Sequence, residues 1–173
     1  MGEGLVDIPE LSHSLEAEKA VLSAILINPE DAFEKAVGIM SPDDFYTISH
    51  KLIFKAMVTV AEDGGTPDLV KVDEYLKRTG NLEEIGGAYY LTEFLSMEPT
   101  AGRIREHARI VRDKAAERAV ARDIHNFNKN PSNLNPSDNL DRLVAKLRNS
   151  SDAMQSPHRG EKTMMSLSDL GEQ

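Results

Sequence analysis

An all-α fold is what this sequence predicts, and three observations carry that reading. Apolar residues recur at steps of three and four through most of the chain. Helix start and stop signals punctuate those stretches, as at Asn28-Pro29, Ser41-Pro42-Asp43-Asp44 and Thr79-Gly80. No convincing strand pattern of alternating apolar and polar residues occurs. The expected architecture is a compact helical N-terminal domain, then an antiparallel helical hairpin, then a flexible linker.

Residues 1–13 read as a flexible arm. Ser14, followed by Leu15-Glu16-Ala17-Glu18, suits a helix start, and Leu15, Leu22, Ile25 and Leu26 share a face of the helix that follows. Asn28-Pro29 ends it. Asp31 to Met40 reads as a second, short helix. The segment Ser41-Pro42-Asp43-Asp44 has the form of a capping box with Pro in the first turn. Phe45, Ile48, Leu52, Ile53, Ala56, Met57 and Val60 then form an amphipathic stripe. Gly64-Gly65-Thr66-Pro67 breaks the chain. Leu69 to Thr79 is expected to be a helix with Leu69, Val72 and Leu76 inward, closed by Gly80. Gly86-Gly87 opens another, Ala88 to Met97, stopped by Pro99. A globular unit over 14–98 follows from these elements.

Beyond it, Thr100 caps a long helix over about 101–128, with a narrow, Ala-rich stripe: Ile104, Ala108, Val111, Ala115, Ala119, Ile124 and Phe127. A turn rich in Asn and Pro leads to a second helix carrying Leu140, Leu143, Val144 and Leu147 on one side. The pair, 100–150, is expected to be a helical hairpin whose seam mediates dimerisation. From residue 151 to 173 the composition turns linker-like, with a short apolar stripe at Met164, Leu167 and Leu170.

Composition narrows the function. The chain has 173 residues, a formal net charge of −9 and no Cys, so disulfides, thiolate zinc sites and cysteine nucleophiles are excluded. A pI near 5.0 argues against binding nucleic acid over the whole surface. The start MGEGLVDIPELSHS has no signal-peptide pattern, and no apolar run reaches the ~18 residues of a membrane span. A cytoplasmic protein with no membrane partner is the expectation.

Chemistry is hard to find. Asp43, Asp44, Tyr46 and His50 stand close together in sequence. Asp43 and His50 share a helix face but would be separated by about 10 Å along the axis, too far to share one metal ion. Packing and capping are the expected roles of this cluster. Gly86-Gly87 lacks the phosphate-loop pattern, and Gly160-Glu161-Lys162-Thr163 has its Gly-Lys pair interrupted. His13 and Glu16 lack a third ligand, and no nucleophile signature occurs. No catalytic, cofactor-binding or metal residues are assigned. One feature points to nucleic acid: the basic face of 103–122, made by Arg103, Arg105, Arg109, Arg112, Arg118 and Arg122, joined by Lys114. Glu106, Asp113 and Glu117 are interspersed at ion-pair spacing, so a solvated helix face is the competing reading.

The order of the segments SLEAEKAVLSAIL, SPDDFYTISHKLIFKAM, DLVKVDEYLKRTGNLEEIGGAYYLTEFL and EHARIVRDKAAER resembles the N-terminal region of the bacterial replicative DNA helicase, the DnaB-type hexameric family. The match runs over about 14–150, and over 130–150 it is one of type only. The resemblance implies an all-α domain followed by a hairpin that pairs between subunits. It implies a collar of three dimers, which docks the C-terminal region of primase and, in some bacteria, a helicase loader. In that family a motor domain binds ATP and Mg, hydrolyses ATP and moves 5′ to 3′ on single-stranded DNA at bacterial or phage replication forks. Met164, Leu167 and Leu170 would belong to a linker helix that packs on a neighbouring motor domain. This chain stops before any Walker A motif, so no enzyme activity and no cofactor are expected of it. The expected function is therefore oligomerisation and docking. The alternative is a single-stranded nucleic-acid-binding module using the basic face.

Overall fold

The computed structural model describes residues 12–97 and 101–129, together with the helical backbone at 141, 144, 145 and 148. Among the described residues every regular element is helical.

Helix α1, Leu15–Ile27, begins where the Ser14 hydroxyl accepts a hydrogen bond from the Ala17 amide at 3.3 Å. Its buried residues include Ala17, Ala20, Val21, Leu22, Ala24, Ile25 and Leu26, which occupy most of its circumference. A helix apolar on most sides must be covered on most sides. Here α2 (Pro29–Val37), α3 (Ile48–Glu62), α6 (Ile104–Lys129) and the turn at Phe94–Ser96 all pack against it. Leu15, expected on the inward face, is instead 43% exposed, because it lies in the first turn, ahead of those neighbours.

Helix α2, Pro29–Val37, starts two residues earlier than expected, since Pro29 fits the first helical turn, and ends three earlier, at Gly38. Ala32 and Ala36 are its buried contacts. The capping box at Ser41 forms, with the Ser41 amide donating to Asp44 Oδ2 at 2.7 Å, but it caps only a 3₁₀ turn, Pro42–Asp44. Phe45 is extended, and helix α3 begins at Ile48 and runs to Glu62. Ile53, Phe54, Ala56, Met57 and Val60 face the core, whereas Ile48 is exposed.

Helix α4, Leu69–Arg78, is capped by Asp68, whose carboxylate accepts from the Lys71 amide at 3.0 Å. Val72 and Leu76 are buried and Leu69 partly so, as the spacing predicts. The chain before α4 is tight at Gly65, where a Cβ would sit 2.9 Å from the Val60 carbonyl. Helix α5, Gly87–Glu93, is shorter than expected and passes into a 3₁₀ turn at Phe94–Ser96. The Ser23 hydroxyl of α1 donates to the Phe94 carbonyl at 2.7 Å and anchors that turn. After a short turn at Ala101–Arg103, helix α6 spans Ile104–Lys129.

The core forms around α1: Leu22, Ile25, Ile53, Phe54, Met57, Leu76, Leu91 and Phe94 are all fully or almost fully buried. Ile104, Ala108 and Val111 of α6 belong to the same cluster. The globular unit therefore extends past residue 98 and uses the first two turns of α6 as one of its walls.

Candidate assembly surface

Helix α6 has two parts with different surroundings. In the first, Ile104, Ala108, Val111 and Arg118 are buried, while Ala115 is half-buried. Steps of four, three, four and three keep these residues on one face. Ile104, Ala108 and Val111, read from sequence as part of a seam between subunits, are used inside their own domain. They face α1 and α2, whose buried Ala17, Ala20, Ala24, Ala32 and Ala36 permit a close approach of the helices. Beyond Arg118 the helix continues for eleven residues, about 16 Å, to Lys129. Ala119 is half-buried there and Ile124 is 42% exposed. Val144 is helical and half-buried. Leu140, Leu143 and Leu147 lie outside the described residues, as do Phe127 as a side chain and the stripe Met164, Leu167 and Leu170.

The basic face is thinner than the sequence implies. Arg103, Arg105, Arg109 and Arg122 are exposed and Arg112 is half-buried. Lys114 pairs with Glu117 at 2.9 Å. Arg118 does not face solvent: it is 8% exposed and donates to the Ser12 carbonyl at 2.9 Å and the Asp44 carbonyl at 2.5 Å. Its guanidinium lies 5.6 Å from the centroid of the Tyr46 ring. It is on the buried stripe, so its charge is taken up by backbone carbonyls and by a π face.

Behind that contact lies a buried polar network that the sequence reading missed. Glu18, on the central helix α1, is 1% exposed. Its carboxylate accepts from the Tyr46 amide at 2.7 Å, from the Thr47 amide at 3.4 Å and from His50 Nδ1 at 2.6 Å. Burial pushes its pKa up, but the His50 hydrogen bond, the Tyr46 amide, the charge of His50 and the Thr47 amide together outweigh that and hold it below the ordinary value. The other ring nitrogen of His50, Nε2, lies 2.8 Å from the Tyr90 hydroxyl. Burial, then the charges of Glu93 and Glu18, raise the Tyr90 pKa, so its hydroxyl stays protonated and can donate to Nε2. The His50 ring thus bridges Glu18 through Nδ1 and Tyr90 through Nε2.

This network resolves the cluster at residues 43–50. The amides of Tyr46 and Thr47 point at Glu18, which requires extended backbone and delays the start of α3. With that break, His50 pairs with Glu18 and Tyr90, and the Tyr46 ring turns to stack on His13 at 4.3 Å. Asp43 is exposed and pairs with Lys51 at 2.5 Å, and that hydrogen bond and charge lower its pKa. Buried Glu18 and His50 and half-buried Tyr90 are engaged with one another or with backbone, which is the pattern of a structural unit. Among the described residues no group of three His, Cys, Asp or Glu side chains is placed to hold a metal ion. No helix among them is long and apolar enough to cross a membrane.

Comparison with known proteins agrees with this architecture. The family model described as the DnaB-like helicase N-terminal domain matches residues 10–113. The replicative DNA helicase DnaB of Geobacillus stearothermophilus is 44% identical over 109 residues, which are 63% of this chain and 24% of that protein. The replicative DNA helicase DnaC of Bacillus subtilis is 42% identical over 109 residues, again 63% of this chain and 24% of its own length. The chain thus spans about a quarter of the length of these curated relatives. The crystal structure of the N-terminal domain of DnaB helicase from Mycobacterium tuberculosis superposes with a TM-score of 0.72 at 29% identity, covering 80% of this chain and 98% of that one. The matched region contains the central helix, the capping box, the Glu18–His50–Tyr90 network and the buried Ile104, Ala108 and Val111 of α6, and the chain belongs to the DnaB-like helicase N-terminal domain family.

Proposed function

We propose that this chain is an assembly and docking module: the N-terminal collar region of a replicative DNA helicase. The observation that carries the reading is the second part of α6. Helix α6 continues for about 16 Å beyond Arg118, its last buried anchor among the described residues, with half-buried Ala119 and exposed Ile124 there. A helix with small and apolar residues beyond its own core is suited to pack on another helix. The second helix of the hairpin and the matching helix of a second copy are the proposed cover. Dimers would form through the hairpins, and a ring of three dimers when a motor domain is joined.

In this reading the chain itself performs no catalysis. ATP, Mg and 5′ to 3′ unwinding belong to a motor domain, and the chain works in the cytoplasm at replication forks. The C-terminal region of primase and a helicase loader are the proposed docking partners. Met164, Leu167 and Leu170 would meet a motor domain. Binding of single-stranded DNA through α6 is less favoured, since Arg118 is withdrawn from the surface and Lys114 is paired.

The test is Ile124→Glu. A charge placed in a packed seam costs several kcal/mol, so self-association should weaken at least tenfold while helix content stays unchanged. Association equal to that of the parent would reject α6 as the seam. Calorimetric titration with the primase C-terminal region tests docking separately, and the absence of binding would remove primase from the proposal.

A further inference from the structure

We propose that the contacts around Arg118 form a clasp that fixes the direction in which α6 leaves the domain. Three segments distant in sequence meet on this side chain. Arg118 donates to the carbonyl of Ser12, ahead of α1, and to that of Asp44, at the end of the 3₁₀ turn. The Tyr46 ring lies beneath the guanidinium at 5.6 Å, and the His13 ring stacks on Tyr46 at 4.3 Å with planes 10° apart. The Ser12 hydroxyl donates to Glu117, the next residue along α6. The strap at Ser12–His13 and the segment Asp44–Tyr46 thus grip one turn of α6.

The grip is tied to the core. The Tyr46 amide donates to Glu18 at 2.7 Å, and Glu18 is held in turn by His50. An extended segment fixed at its amide by a buried carboxylate presents its ring and the preceding carbonyl in a set position. Arg118 also marks the boundary between the two parts of α6: among the described residues, Val111 is the last buried apolar side chain on the helix and Arg118, 8% exposed, the last buried side chain of any kind. At this boundary the apolar neighbours, Ala115 and Ala119, are small and only half-buried, so polar contacts weigh most on the angle; a helix is stiff, and a small rotation at its root moves its far end by several ångströms. A guanidinium suits the task, since its planar fork reaches two carbonyls while its face lies on a ring.

The clasp is a property of one chain and holds whichever partner covers α6, so it does not depend on the assembly reading. The chain has no Cys, so a pair of cysteines introduced at Lys55 of α3 and Arg122 of α6, both exposed, can be spin-labelled without background. Labelled chains diluted into excess unlabelled chain of the same sequence report the intrachain distance alone. We expect one narrow distance distribution. In Arg118→Ala the distribution should broaden by a few ångströms or its mean should move, with helix content by circular dichroism retained. A distribution unchanged in folded Arg118→Ala would overturn the proposal. If that variant fails to fold, Tyr46→Leu, at a ring 42% exposed, takes its place with the same two readings.

Discussion

Glu18 is the residue on which the local geometry turns. A carboxylate 1% exposed, with three donors aimed at it, has exchanged water for two amides and an imidazole. Glu18→Gln keeps the shape but removes the charge, and it sets an amide NH₂ against at least one of those donors. A loss of about 3 kcal/mol is expected in urea unfolding. Tyr90→Phe removes only one neutral hydrogen bond and should cost about 1 kcal/mol. The Glu18 carboxyl titrates below its ordinary 4.5 in the folded chain. Its stabilising contribution is therefore complete above that ordinary value and is lost as pH falls through the lower, folded value. The urea midpoint should drop at acid pH, and Glu18→Gln should flatten that drop. A Glu18→Gln variant with the parent's full acid limb would show that other carboxylates govern it.

At the scale of the element, α6 is two helices in one, and two substitutions should separate them. Val111 is 1% exposed among core residues, so Val111→Asp buries an unpaired charge and should unfold the whole domain in thermal melts. At concentrations too low for self-association, Ile124→Glu, at a side chain 42% exposed in the single chain, should leave the melts within about 0.5 kcal/mol of the parent. Equal melting of the two variants would mean that the helix has no such division. The sequence showed the helices well where a cap and a clean stripe coincided. Leu69, Val72 and Leu76, with Gly80 closing the segment, placed α4 almost to the residue. It showed them poorly where a tertiary contact overrode the local signal, as where Glu18 draws the amides of Tyr46 and Thr47 and shortens α3. Signals for the missed residues were present as charges on apolar stripes. Glu18 is in step with Leu22 and Ile25, His50 with Ile53, Phe54 and Met57, and Arg118 with Val111 and Ala115. Periodicity marked a seam along α6 but could not say which body it faces. Ile104, Ala108 and Val111 face their own domain, and that depends on where α1 and α2 lie.

For the whole molecule, the central question is whether the chain assembles. Its described core is complete: α1 is covered on most sides, and its buried acid and imidazole and half-buried phenol are engaged within it. What the core leaves over is the far half of α6, and the family to which the chain belongs is named for a helicase. Light scattering of the unmodified chain over a wide concentration range tests the account most directly. A mass rising from 19.1 kDa per chain to two, three or six times that value is the predicted result. A mass of 19.1 kDa at every concentration would contradict it, because the far half of α6 would then be a solvated helix and not a surface for assembly.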